Sequence, residues 1–293
     1  MEEKKQAGQK PGATGRKAAA TGQRPAATGR KAGTTEPGRR RRRNARRKEK
    51  ENKSKVIPVL LIVAVLVFLF SGCQLAMSLY PYLAGGKEYD EVKELAIESD
   101  DVGDGFKVDF AFLARENPDV VAWIRFEEPA IINYPVVQSK DNNEYLTKTF
   151  FANDNKLGAI FMDMRNTSFN DRNVFIYGHN LKIGGEMFSQ LTEYADEEFC
   201  KKYPYFYIYT PDGKTRTYKV FSASVVKAEA ENYTPSYLTE KDFTDYLKVC
   251  KRSSNYDVDV ELDAQSKIVS LSTCTNVRDD ERFLVQGVLV DED

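Results

Sequence analysis

Hydrophobic and polar positions divide the chain into three stretches. Residues 1–55 hold almost no large apolar side chain, residues 56–86 hold no charged one, and from residue 87 onward apolar and polar positions alternate in short runs. The middle stretch, VIPVLLIVAVLVFLFSGCQLAMSLY from Val56 to Tyr80, exceeds the roughly 20 helical residues that cross a bilayer, and predicts a single membrane-spanning helix over 56–80. Pro58 lies near its start, where a helix tolerates proline, and Tyr80 and Tyr82 suit the far interface. A cleaved signal peptide is the competing reading. The apolar run is too long for one, the leader before it is also too long, and SGCQLAMS is a poor cleavage site.

Past the span, residues 81–105 predict a juxtamembrane linker or helix, and 106–293 a single domain with a sizeable core. KEYDEVKELAIES sets Val92, Leu95 and Ala96 at helical spacing, and VDFAFLARENPD does so for Phe110, Phe112 and Leu113. After Pro118 the period changes. Eight runs rich in Val, Ile, Tyr and Phe follow between turn signals: VVAWIRF, IINYPVVQ, GAIFMD, NVFIYGH, YFYIYT, TYKVFSASVVKAEA, KIVSLSTC and RFLVQGVLV. Eight strands imply a mainly β fold, a closed or nearly closed barrel. Helical patterns at 185–203 and 239–254 belong at its edges, and TPDGKT (Thr210–Thr215) reads as a hairpin turn.

Charge sharpens this division. The first 55 residues carry 19 Lys/Arg against 5 Asp/Glu, which leaves 24 against 39 for the rest, so a nearly neutral total conceals a strongly polarised chain. Residues 8–21 and 22–35 repeat one 14-residue pattern of Gly, Ala, Thr and basic side chains. With so little to bury, residues 1–55 are expected to be disordered. The run RRRRRNARRKEK (Arg39–Lys50) suits either nucleic acid or anionic lipid. Beside a membrane span, lipid is the simpler partner, and no nucleic acid is expected. Basic bias at a first span keeps that side cytoplasmic, which puts residues from about 87 onward outside the cell membrane.

The candidate chemistry is sparse. Of four cysteines, Cys73 is in the span and Cys200, Cys250 and Cys274 lie beyond it, so at least one of these three stays outside any intrachain disulfide. Cys274 ends a strand and precedes the polar loop TNVRDDER. On those residues alone a nucleophile and a structural or disulfide-bonded cysteine stand level. His179, the only histidine, ends NVFIY in the same way, and a lone histidine is more often a satisfied polar residue than a catalyst. Together the two fit a thiol nucleophile with an imidazole partner. Acyl transfer also needs an oxyanion donor. Arg282 opens the strand after the Cys274 loop, where a hairpin would return it to the level of the thiol; Arg278 is its rival, and a plain surface cation is the alternative for both.

YGHN, LSTC, an arginine eight positions beyond the cysteine and a single N-terminal anchor together resemble the sortases, cysteine transpeptidases of Gram-positive cell surfaces. The stretches DVVAWIRFEEPAIINYPVVQSKDNNEYL and GAIFMD and the helix before KIVSLSTC are similar to class B. The resemblance covers roughly residues 88–292. It implies a sortase-like eight-stranded β-barrel, with Cys274 as nucleophile, His179 as general acid and base, and Arg282 as stabiliser of a substrate carbonyl or oxyanion. It further implies that Ser272, Thr273 and Asn142 border substrate, with a helix-cap or turn role open for Asn142, while Tyr177 and Asn180 shape the loop. The implied partners are a surface protein with an NP-x-T-x-type C-terminal sorting signal and a peptidoglycan amine. Neither cofactor nor metal is expected. The competing readings are another exported cysteine acyl-transferase or hydrolase, whose usual motifs are not seen, and a membrane-anchored β-rich binding or sensor domain without catalysis.

Overall fold

The apolar stretch belongs to one long helix, α1 (Pro37–Ala96), in a computed structural model that describes residues 37–99, 105–127, 129, 132–181, 184–234 and 236–293. Among the described residues it is the one helix long and apolar enough to cross a membrane. Its large apolar side chains are open along the run, Phe68 to 76%, a surface that water disfavours and hydrocarbon accepts. Of the tail expected to be disordered, residues 1–36 lie outside the described residues. From Pro37 to Lys55 the chain is helical instead. Arg, Lys and Glu are good helix formers, Glu49 and Lys53 pair one turn apart at 3.0 Å, and the adjoining apolar helix removes the cost of a separate nucleus. The helix also runs on without a break at Tyr80.

Contacts divide the chain into residues 1–66 and 67–293, and the second unit holds everything that follows. Toward its end α1 buries Gly85, Tyr89, Val92 and Ala96, spaced four, three and four apart as one helix face requires. Leu95, expected on that face, is 52% exposed, because it lies one position off the stripe. Two short strands that sequence patterning missed, β1 (Ile97–Ser99) and β2 (Lys107–Val108), pair antiparallel beyond it. The helix α2 (Phe110–Glu116) follows, its first turn capped by Asp109, which accepts the amide of Phe112 at 2.8 Å, and Leu113 is buried.

All eight predicted strands form: β3 (Val120–Phe126), β4 (Asn133–Val137), β5 (Ile160–Met162), β6 (Asn173–Tyr177), β7 (Tyr205–Tyr209), β8 (Thr215–Lys227), β9 (Ile268–Cys274) and β10 (Glu281–Glu292). They close into a barrel in the order β10-β8-β7-β3-β4-β5-β6-β9. Two neighbouring pairs, β4 with β5 and β6 with β9, run parallel; the others are antiparallel. The predicted helix over 185–203 divides in two. Residues Ser189–Ala195 form 3-10 turns, and Asp196 then caps a new helix, α3 (Glu197–Lys202), by accepting the amide of Glu198 at 2.8 Å. The second predicted helix forms as one piece, α4 (Glu240–Ser253), opened by a reciprocal cap between Thr239 and Asp242.

Trp123, Ile124, Val136, Ile176, Leu271 and Val285 contribute to the main core. A smaller cluster, including Phe221, Phe243, Leu247, Ile268 and Val288, seats α4 against β8, β9 and β10. Alternation along β9 therefore turns Ile268, Ser270, Ser272 and Cys274 toward the α4 side, and Val269, Leu271 and Thr273 toward the main core. Between the layers lies a buried polar network. The Ser270 hydroxyl donates to Asn173 Oδ1 at 2.9 Å, Asn173 Nδ2 to Tyr246 OH at 2.9 Å, and Gln286 Nε2 to Ser270 Oγ at 3.0 Å. It fastens β6, β9, β10 and α4 at one level. Replacing Asn173 by Ala leaves these groups unpaired, with an expected loss of about 2 kcal/mol. Denaturation followed by the fluorescence of Trp123, the only tryptophan, measures it.

Candidate active site

Parallel strands end at the same rim, and this brings two distant motifs together. In the register of β6 and β9, Tyr177 lies opposite Ser272, and the amide of Gly178 still donates to the Ser272 carbonyl at 3.2 Å. His179 and Cys274 each follow two residues later, at the same rim. Asn180 crosses between them to donate to the Cys274 carbonyl at 2.9 Å, and Asn276 Nδ2 donates to the Asn180 carbonyl at 2.7 Å. Asn180 thus ties the two strand ends. The antiparallel return of β10 sets Arg282 directly opposite Cys274.

His179, Cys274 and Arg282 line one cleft of about 240 Å³, together with Asn142, Leu146, Phe161, Tyr177, Gly178, Ser272 and Thr273. Cys274 is half-buried at its edge, whereas Cys200 and Cys250 are buried, and all three are free thiols. Burial pushes the Cys250 thiol up to about 11 and raises that of Cys200, which suits inert core cysteines. Among the described residues, Cys274 alone of the cysteines shares a cleft with the histidine. His179 Nε2 is 2.8 Å from the carbonyl oxygen of Leu146. A carbonyl only accepts, so Nε2 carries a proton, and Nδ1 is the nitrogen left to take and return one.

Arg282 reaches the cleft while its Nη1 donates to the carbonyls of Asp279 at 2.8 Å and Glu281 at 2.9 Å. These bonds steady the guanidinium at the rim. Arg278 pairs with Glu281 at 3.3 Å on the surface and lines none of the cleft. Ser272 Oγ is 2.7 Å from Tyr233 OH, on the Cys274 side of the strand. Thr273 also borders the cleft, but alternation turns its side chain to the core, where Oγ1 has no hydrogen-bond partner among the described residues.

A residue that sequence reading passed over organises this wall. Asp163 has a side chain 1% exposed, and its carboxylate accepts from Arg165 Nε at 2.8 Å, Arg165 Nη2 at 2.7 Å, Tyr177 OH at 2.8 Å and Asn142 Nδ2 at 3.1 Å. Asn142 is held from both ends, since its Oδ1 accepts the amide of Met164 at 2.8 Å. Burial alone raises a carboxyl pKa; here the Arg165 guanidinium, the Arg165 amide and the Tyr177 hydroxyl outweigh it and hold Asp163 below the usual aspartate range. The only sequence signal was an acidic residue closing a buried strand, GAIFMD. Beyond this wall a broader groove of about 620 Å³ shares Tyr177, Ser272 and Arg282 with the cleft and continues past Arg165, Glu231 and Tyr233.

Residues 127–290 match the family model of the sortase domain. The chain is similar to sortase B of Listeria monocytogenes serovar 1/2a, 33% identical over 232 residues that cover 76% of this chain and 92% of the relative. Sortase B of Staphylococcus aureus is 32% identical over 166 residues, covering 56% and 67%. Among solved structures, Bacillus anthracis sortase B gives a TM-score of 0.62 at 30% identity and covers 72% of this chain and 99% of that one. A Staphylococcus aureus sortase B-substrate complex gives 0.58 at 29% identity, covering 62% and 84%.

The Asp163 network makes an acid-sensitive contribution to stability. Its folded pKa is depressed, so the contribution is in place above the ordinary carboxylate pKa of about 4 and fades as pH falls through the folded value. Asp163→Asn is expected to cost about 1–3 kcal/mol at pH 7. In denaturation series from pH 7 downward, the gap between variant and wild type narrows below about pH 4.

Proposed function

The chain belongs to the sortase family, as a class B cysteine transpeptidase, and from that premise we propose that Cys274, His179 and Arg282 carry its acyl transfer. The observation that carries this reading is the single cleft in which a half-buried thiol, the only imidazole and a tethered guanidinium meet.

In this reading the Cys274 proton passes to His179 Nδ1, and the thiolate attacks the carbonyl of threonine in an NP-x-T-x-type sorting signal. The negative charge on the carbonyl oxygen develops beside Arg282, whose Nη1 is already committed to backbone carbonyls, which leaves Nε and Nη2 as donors for substrate. Collapse breaks the peptide bond, and the departing amine takes the proton from Nδ1. A thioester to Cys274 remains. An acceptor amine of the cell wall then gives its own proton to Nδ1, attacks the thioester and regenerates the thiolate. The bond from Nε2 to Leu146 keeps the ring in the tautomer that both half-reactions need. Ser272 and Asn142 border the bound signal, Thr273 contributes from its backbone, and the groove past Arg165 and Tyr233 receives residues upstream of the threonine. A Staphylococcus aureus sortase B has been solved as a complex with substrate, which supports a substrate as the occupant of this cleft.

The apolar run of α1 anchors the enzyme in the cell membrane. The basic residues on its N-terminal side stay cytoplasmic and contact anionic lipid, and the catalytic domain faces outward. Protease added to intact cells is expected to digest the domain after residue 87 and to spare an epitope in the tail.

Catalysis is tested with the full chain in detergent and quenched peptides varied around NP-x-T-x. Cys274→Ala and His179→Ala are expected to lose at least about 10³-fold in kcat/KM, and Arg282→Ala about 10²-fold, on a bell-shaped pH profile. Mass spectrometry should find the acyl group on Cys274 after cleavage behind threonine. A folded wild type that cleaves no such peptide and forms no Cys274 adduct would sink the reading.

A further inference from the structure

His179 is held by a segment with little regular structure of its own. Between β4 and β5, residues 144–158 form one 3-10 turn (Glu144–Leu146), an isolated bridge from Lys148 to Asp154, and turns. Both ends of this segment touch the imidazole. Leu146 offers its carbonyl to Nε2, and Gly158 packs beside the ring at Cδ2. At Gly158 φ is +66°, and an added Cβ would stand 2.8 Å from His179 Cδ2, 2.9 Å from the Tyr145 carbonyl and 3.0 Å from the Leu146 carbonyl. A segment of this kind keeps its shape only through cross-links to rigid elements.

At its start the cross-link is Tyr145, buried, whose hydroxyl donates to Asp119 at 2.8 Å and accepts from Asn117 at 2.9 Å. For the rest of the segment it is Asn117, whose Nδ2 donates to the Phe150 carbonyl at 2.6 Å, and α1. Asn155 Nδ2 donates to the Pro81 carbonyl at 2.9 Å, the Glu88 carboxylate accepts from the Phe151 amide at 3.3 Å and from Asn153 at 3.2 Å, and the backbone at Gly85 packs on Leu157. The fourth contact differs from these. Tyr89, 2% exposed and edge-on to Tyr134, donates its hydroxyl proton to the Gly158 carbonyl at 2.8 Å and accepts the Phe150 amide at 3.1 Å. Burial keeps this phenol protonated far above neutral pH, so both bonds persist together. One oxygen atom thus joins the middle of the segment to the glycine that backs the imidazole.

We propose that Tyr89 is a positioning residue for His179, and that α1 sets the orientation of the imidazole through the segment 144–158. The proposal rests on the reading of His179 as the acid and base of acyl transfer. Its consequence is that the helix carrying the apolar run is also part of what tunes the proton-transfer step. Without the Tyr89 hydroxyl, the Gly158 carbonyl and the Phe150 amide lose their buried partner, and the turn at Gly158 relaxes. The bond from Nε2 to Leu146 then loosens, and the neutral ring redistributes its proton toward Nδ1. That is the wrong nitrogen to hold it when a thiol or amine must be deprotonated.

The test uses Tyr89→Phe, which keeps the buried ring and removes one oxygen, in the full chain in detergent micelles. Because His179 is the only histidine, selective ¹³C/¹⁵N-histidine labelling yields one imidazole spectrum, which reports tautomer and titration directly. Expected are a wild type held as the Nε2–H tautomer, and a variant with mixed tautomers. Peptide cleavage is expected to drop about tenfold in kcat, with KM unchanged. Leu113→Ala, a core change in α2, is the control for destabilisation alone. An imidazole spectrum identical to wild type in folded Tyr89→Phe overturns the proposal, as does a kcat loss no larger than that of Leu113→Ala at equal loss of Tm. Should Tyr89→Phe not fold, the same spectrum is read for Asn155→Ala, which severs the segment from α1 at Pro81, and an unchanged imidazole there also overturns it. A wild type that cleaves no peptide refutes the acyl-transfer reading, while the spectra still decide whether Tyr89 orients the ring.

Discussion

The parallel pairing of β6 with β9 is the constraint on which the site depends. Both strands run to one rim, so residues 95 positions apart in the chain reach the same cleft, and the antiparallel turn into β10 adds Arg282 opposite the thiol. A slip of one residue in β9 would turn Cys274 to the core face and Thr273 outward. The buried bonds among Asn173, Ser270, Gln286 and Tyr246 resist such a slip, because any other register leaves several of these groups unpaired in a low-dielectric interior.

Around that pairing the polar contacts form two supports. On one wall Asp163 gathers Arg165, Tyr177 and Asn142, which lie apart in sequence but border the cleft or the groove. On the other, the segment 144–158 holds the imidazole and is itself held by Asn117, Asp119 and α1. The three thiols beyond the apolar run differ in their exposure. Burial raises the pKa of Cys200 and Cys250, while Cys274 lies half-open at the end of its strand.

What could be read without coordinates was whatever has a local cause. Runs rich in β-branched and aromatic residues between turn signals marked all eight barrel strands, since such side chains suit a pleated, buried surface. The helical pattern over 239–254 marked α4, and the uncharged run marked the apolar part of α1. Local pattern misled where two causes compete. Asp196 breaks the helical stretch 185–203 because a short acidic side chain caps a new helix, and the basic residues 37–55 join α1 because a helix once begun is easily extended.

By itself, then, the sequence determined the strands, the apolar helix, the polarity of charge between the two ends, and the rarity that singles out His179. Only the tertiary structure decided that His179, Cys274 and Arg282 share a cleft, that Arg278 does not, and that Asp163 and Tyr89 stand behind it. The physical reason is the range of the interaction. Periodicity and capping act over three or four residues, whereas Tyr89 meets Gly158 across 69 positions, and Asn180 meets the Cys274 carbonyl across 94. Contacts so distant in the chain leave no local pattern and exist only once the barrel has closed.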